Sequence, residues 1–590
     1  MKKKKLCLFS LIGVLAFSGA ILVTSCDPNS QNVSGATLSY TAPSNCTVKF
    51  NRIVNGTPES LDISNATFNE GDKVNVYVVA DNGYVINKVT FNGEIIRPNA
   101  NIYSLTFVSG TNTLEIDIRL IETTMDMFTF ELDEETQSEL TLVSYTPNGD
   151  NPYPLIIPDT ATVNGKEYPV TSIASDVFSN SDVASIRIGK NLTNIDGSTF
   201  FNAYNLSYLE VNEENPIFSA ENGILYNKDK TTIISVPRNY DCDGTFNVKD
   251  SVTSIGDYAF CQNRSIETFN LGTKITSIGN HAFENIFSIT EIKIPDTCKK
   301  IGDNAFANCT SLLRIDFGEG LEEIGAYAFE SCTTLLSLTI PDSLVTINDS
   351  AFTSNKSLMR IYFSKEGTSK LETIGPSAFQ MCNSLKGFTA PSSLRNIGVN
   401  AFFQCESMTE VTLNEGLHSI GDGAFCYCNN LKTLTIPSTV TVLEGNPFYE
   451  CPGLDEETLI FSGENPNFKI VNGAVYSADG TVLHSVLPYS NSVSDTYEVL
   501  EGTKIIAYRA FCIVPISKVI IPTSVNEIQV QAFMQITGGI SIEYKGTTEE
   551  FRALTKSEYM VYASILSGDG VICSDGTVLW TEFLDESVIQ

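Results

Sequence analysis

The stretch SIGDYAFCQN (254–263) returns twenty-three residues later as SIGNHAFENI (277–286), and after another twenty-three as KIGDNAFANC (300–309). EIGAYAFESC (323–332), TIGPSAFQMC (373–382), NIGVNAFFQC (396–405) and SIGDGAFCYC (419–428) repeat the phrase. With the phenylalanine as anchor, copies fall at Phe178, Phe200, Phe260, Phe283, Phe306, Phe329, Phe352, Phe379, Phe402, Phe425, Phe448, Phe511 and Phe533. From Phe260 the steps are 23 four times, 27, 23 three times, then 63 and 22. A fixed period of this length predicts a solenoid.

Other positions keep the phase. Five residues before each anchor stands Ile or Leu, from Ile173 to Ile528, and Gly often follows, as at Gly256, Gly302 and Gly421, where a tight bend is expected. Six residues after the anchor comes Leu, Ile or Met in the central rungs, as at Leu312, Leu335 and Met408. Then follows a short alternating run closed by proline, as in Ile292-Lys293-Ile294-Pro295. That alternation predicts a strand with one buried face, which proline ends because it cannot donate to a ladder. One rung buries five or six apolar side chains at roughly 2 kcal/mol each. Ordering its residues costs on the order of 1 kcal/mol apiece, so a rung folds only when neighbours share its ladder and its core.

The pattern IGxxAFxxCxxLxxIxIPxxV resembles the BspA-type leucine-rich repeat of bacterial surface proteins. The resemblance implies a mainly β solenoid of about 23-residue rungs with short helical turns, spanning residues 127–581. LIIPDTATVNGKEYPVTSI (155–173) resembles the family's approach to its first rung, within an N-terminal lead-in at 127–172. NPIFSAENGILYNKDKTTIISVP (215–237) and NPNFKIVNGAVYSADGTVLHSVLP (465–488) are mutual copies and resemble its hairpin inserts. IEYKGTTEEFRALTK and VICSDGTVLW, inside 541–581, resemble its C-terminal cap. Ahead of the array, residues 37–122 read as a small all-β module, a sandwich or β-grasp. KVNVYVVADNGYVINKVTFNG (73–93) breaks at Asn82-Gly83 and Asn92-Gly93, both turn signals. This module resembles the internalin B-repeat modules that space out bacterial surface proteins.

The first 26 residues read as an export signal: Lys2–Lys5, an apolar run from Leu6 to Val23, then Thr24-Ser25-Cys26. Cys26 sits where a bacterial lipobox places its lipidated cysteine. The polar residues 27–36 read as a tether. The expected location is therefore the bacterial cell envelope, lipid-anchored and surface-exposed. The formal net charge is −32, from 69 acidic against 37 basic residues. Such a surface repels nucleic acid, whose recognition rests on clustered Lys and Arg.

No catalytic set is legible. The three histidines, His281, His418 and His484, stand in unrelated phases, whereas nucleophile–histidine chemistry needs side chains within hydrogen-bond reach. Cys309, Cys332, Cys382, Cys405, Cys428 and Cys451 all lie three residues after an anchor, where other rungs hold Ser181, Ala203, Asn263, Ile286, Asn355 or Val514. A slot accepting Cys, Ser, Ala and Asn wants a small, mostly buried side chain. An occasional disulfide or a metal remains the alternative. The turns DCDG, SADG and CSDG lack the ligand spacing of a calcium loop and read as Asp-Gly turns. We therefore expect no enzyme, no cofactor and no metal.

What remains is surface. The outward strand positions form a polar band that includes Glu291, Lys293, Arg314, Asp316, Arg360 and Tyr362. It is either a solvated sheet face or a binding face, with Arg314, Arg360 and Tyr362 the preferred anchors by residue type. The family resemblance implies macromolecular binding, to a protein or glycan ligand on host matrix or neighbouring cells. The alternative is a structural or assembly role in the bacterium's own envelope.

Overall fold

Alternating apolar residues bring the chain into short strands, and the architecture follows from how those strands pair. The computed structural model describes residues 21–23, 35–54, 57–64, 66–80, 84–96, 98, 102–120, 125–135, 137–147, 154–179, 181–240, 242–364, 367–463, 465–534, 539–556 and 570–582. Cys26 and most of the expected signal and tether lie outside these residues. Ile21–Val23 pair antiparallel with Gly35–Tyr40. The chain divides into two compact units. One holds residues up to 194 with 202–216 and 220–223. The other holds 195–201, 217–219 and 224 onward.

In the first unit, the β module is a two-layer sandwich. Gly35–Tyr40, Gly110–Leu120, Tyr84–Phe91 and Glu94–Ile96 follow one another in one sheet, and Thr57–Ser60, Cys46–Val54, Lys73–Ala80 and Ile102–Thr106 in the other. Leu38, Phe68, Val76, Leu105, Phe107 and Leu114 fill the space between them. Phe68 stacks on Phe107 at 4.2 Å between ring centroids. The same unit carries the first parallel ladder, Leu155–Ile156, Ser185–Ile188 and Tyr208–Val211. The module packs on that ladder through Tyr77 and Tyr208, whose rings lie 4.8 Å apart, with Val79 and Ile102 beside them.

The second unit is the repeat proper. Two-residue strands pair in parallel from Ser254–Ile255 through Ser277–Ile278, Lys300–Ile301 and onward to Val442–Leu443. The hairpin Ile224–Asn227 and Thr232–Ser235 precedes them, and Thr232 pairs with Ser254. A second hairpin series, Phe468–Val471, Ala474–Ser477 and Val482–Val486, leads into Ile505–Ile506 and Glu527–Ile528. Both inserts thus join the ladder as antiparallel starts to a parallel run. From Phe260 to Phe425 the anchor phenylalanines form one stacked column. Phe283 and Phe306 are 4.8 Å apart and within 1° of parallel, and Phe402 and Phe425 are 5.5 Å apart and within 3°. The 27-residue step from Phe352 to Phe379 does not interrupt it, because those rings still stack at 5.4 Å.

The short helical turns expected around the anchors are single hydrogen-bonded turns in the central rungs: Ala307 N–H donates to Asn304 O and Cys309 N–H to Phe306 O. Two residues on either side of the phenylalanine the backbone is left-handed, as at Asn304 (φ 54°) and Asn308 (φ 60°), which stops any helix after one turn. One local expectation changes: the glycine after the repeated Ile does not serve a bend. Gly302 has no positive φ. A Cβ there would meet Asn280 N and Gly279 C of the preceding rung at 2.7 Å. Rung-to-rung approach, not local chain reversal, selects it.

Candidate functional site

Several rungs of the second unit present a three-residue strand whose middle residue is buried and whose flanks are exposed. Glu291–Lys293, Arg314–Asp316 and Glu410–Thr412 show this pattern. All six residues singled out from the sequence are exposed. Glu291 pairs in register with Arg314 and Lys293 with Asp316. Arg360 and Tyr362 stand opposite Ser337 and Thr339 on the next strand pair. Lys293 Nζ lies 3.8 Å from Asp316, with side chains 80% and 55% exposed. A pair so open to water contributes little to stability.

A second exposed column, absent from the polar band read from sequence, runs beside the first. It lies seven residues after each anchor. Leu313 (46% exposed), Leu336 (44%) and Met359 (41%) occupy it in three consecutive rungs, and Tyr362 (47%) is close by. Leu336 N–H donates to Leu313 O and Met359 N–H to Leu336 O, so the three residues stack rung on rung. Their immediate predecessors, Leu312, Leu335 and Leu358, are fully buried. The doublets Leu312-Leu313, Leu335-Leu336 and Leu358-Met359 were the available signal. Flanking rungs hold Thr290, Lys386 and Thr409 at the outer position.

The cysteine slot is resolved as packing. Cys309, Cys332, Cys405, Cys428 and Cys451 each donate from Sγ to the carbonyl of the preceding rung's anchor phenylalanine, at 3.0–3.4 Å. Cys382 does the same to Phe352 O at 3.3 Å. In the rung between, Asn355 takes over, donating to Phe329 O at 2.9 Å. Burial pushes the Cys309, Cys382 and Cys451 thiols up to about 12, so they stay protonated donors. The cysteines from Cys46 to Cys573 are free thiols.

The other sequence candidates resolve locally. His281 Nδ1 pairs with Glu284 at 2.7 Å and stacks on Tyr258, His418 Nδ1 contacts Gly416 O, and His484 packs edge-on against Phe468. Asp479 of SADG accepts from Ser477 Oγ, Thr481 N and Thr481 Oγ1, which pulls its carboxyl down to about 2 and engages it in its own turn. Among the described residues, no group of three or more His, Cys, Asp or Glu is placed to hold a metal ion.

The first unit has an open cleft of about 360 Å³ lined by Lys49, Arg187, Tyr208 and Glu210. Burial raises the Glu210 carboxyl, while Lys49 and Arg187 pull it the other way.

Comparison with solved structures finds repeat proteins. A leucine-rich repeat protein from Bacteroides ovatus is 21% identical, covering 72% of this chain and 99% of its own, at a TM-score of 0.39. A leucine rich cell surface protein from Faecalibacterium prausnitzii is 18% identical, covering 74% and 98%, at 0.32. One from Eubacterium ventriosum is 23% identical at a TM-score of 0.30, covering 48% of this chain, which spans 62% of that protein's length. A search of curated proteins finds no match. The family described as "BspA type Leucine rich repeat region" matches in six copies over residues 166–244, 241–359, 363–467 and 489–555, more than half of the sequence. With its stacked phenylalanines and parallel ladder, the chain belongs to the BspA-type leucine-rich repeat family.

Proposed function

We propose that this chain is a surface-displayed binding protein whose strand face holds a macromolecular ligand on host matrix or on neighbouring cells. One observation carries the reading. Three consecutive rungs of a mostly polar face expose Leu313, Leu336 and Met359, flanked by Arg314, Arg360 and Tyr362. Stability does not require such exposure, and contiguous exposed apolar groups with Arg and Tyr beside them are what docking surfaces use. The repeat family and a neighbour described as a cell surface protein support a place outside the cell. Lipidation at Cys26 would supply the anchor, and Cys26→Ala should abolish labelling by a clickable fatty acid.

The test is a printed array of matrix proteins and glycans, probed with the mature chain and with an Arg314→Ala/Arg360→Ala/Tyr362→Ala variant. The reading expects at least one array protein or glycan bound by the parent and lost by the variant. Equal binding by both would move the site elsewhere, first to the inserts at 215–237 and 465–488. Envelope defects in a deletion strain, with an array that stays blank, would favour the structural role instead.

A further inference from the structure

The polarity of the strand face narrows the class of partner, if that face is the binding surface. The chain as a whole is strongly acidic, yet the neighbourhood of the apolar column is not. Arg314 flanks the column at Leu313. Arg360 flanks it at Met359, and Lys386 occupies the next rung of the column itself, exposed. Lys386 N–H donates to Met359 O, which fixes that adjacency. Arg360 faces neutral Ser337 across its own strand pair. The acidic groups nearby are Glu291, in register with Arg314, Asp316, already paired with Lys293, and Glu410, in register with Gly387 one rung beyond Lys386. Arg314, Arg360 and Lys386 thus stand against Glu291 and Glu410, a local excess of cations in a molecule whose formal charge is −32. Rungs about 4.8 Å apart give the three apolar side chains a reach of about 10 Å, the length of a few residues of extended peptide.

We propose that the column Leu313–Leu336–Met359 docks a peptide segment of a partner protein that combines apolar side chains with carboxylates. The apolar side chains lie on the column, and the carboxylates reach Arg314, Arg360 and Lys386. Arginine suits this role because its guanidinium forks onto a carboxylate with two parallel hydrogen bonds. An anionic membrane would offer the same charge, but the acidic remainder of the surface opposes approach to it.

The test uses the mature chain and fluorescence anisotropy with a labelled short peptide alternating Glu and Leu. Controls alternate Lys with Leu and Glu with Ser, and phosphatidylglycerol vesicles provide a lipid arm. The Glu–Leu peptide should bind, and bind more weakly as salt rises. Both control peptides should bind far less. Leu336→Asp combined with Arg360→Glu should lower affinity about tenfold or more, with circular dichroism unchanged. Equal binding of the Lys–Leu peptide, unchanged affinity in the double variant, or binding to vesicles without binding to the Glu–Leu peptide would each overturn the proposal. If no Glu–Leu binding is seen while the Arg314/Arg360/Tyr362 variant still loses its array ligand, the partner class is wrong and the binding face stands.

Discussion

The thiol of Cys332 donates to Phe306 O, twenty-six residues earlier, and Asn355 makes the same contact to Phe329 O from the next rung. Losing the donor takes one of two hydrogen bonds from Phe306 O, which still accepts from Cys309 N–H, and costs about 0.5–1.5 kcal/mol. Cys332→Val should therefore destabilise by that amount in urea denaturation, and Cys332→Ser by clearly less. Equal losses would show that the slot selects volume alone. The slot itself was legible from its spacing; its acceptor was not, because it lies one rung away and no local pattern names it. His484 gives a pH test. Burial lowers its pKa to about 4 from an ordinary 6.5. A depressed base binds fewer protons folded than unfolded, so stability should be full above pH 6.5 and fall between pH 6.5 and 4. The loss at pH 4 should be on the order of 3 kcal/mol, and His484→Phe should flatten that part of the profile. An unchanged slope in the variant would assign it to other groups.

Among the elements, the second hairpin insert is where the array needs a clamp. Arg509 reaches Asp422 at 2.9 Å across 87 residues of chain, with both side chains largely buried. Tyr508 and Tyr449 lie 5.0 and 5.8 Å from the guanidinium. Asn446 N–H also donates to Asp422, and its side chain accepts from Ser485 of the insert and donates to Arg509 O. Removing one partner of a buried pair costs about 3–5 kcal/mol, because the other charge stays uncompensated. Arg509→Met should lose that much, and Asp422→Leu/Arg509→Met should recover part of it, as measured by thermal unfolding. A double variant that loses the sum of the Asp422→Leu and Arg509→Met losses would deny the pair any coupling. The rungs themselves were readable from phase: the alternation at Glu291–Lys293 and the proline after it predicted an exposed–buried–exposed strand, and that strand is present. Gly302 was misread as a bend because its constraint comes from Asn280 in the neighbouring rung. The outer column was missed for a related reason. Leu313 precedes the strand, so alternation along the strand does not reach it, and beside buried Leu312 it reads as more core.

Across the whole molecule, shape and recognition occupy different residues. The phenylalanine column is fully buried and continuous. Phe329→Ala should cost about 3–5 kcal/mol and loosen neighbouring rungs with it. The exposed column makes no such contribution: Leu313→Ser/Leu336→Ser/Met359→Ser should leave the melting temperature within about the span of ordinary surface substitutions. The most direct measurement of the central claim is hydroxyl-radical footprinting of the mature chain, free and bound to the array protein it captures. Leucine, methionine and tyrosine side chains report their own exposure in this experiment. The account predicts protection at Leu313, Leu336, Met359 and Tyr362, with the exposed Tyr204 and Tyr489 unchanged. Protection at Tyr204 or Tyr489, with Met359 and Tyr362 still fully reactive, would contradict it.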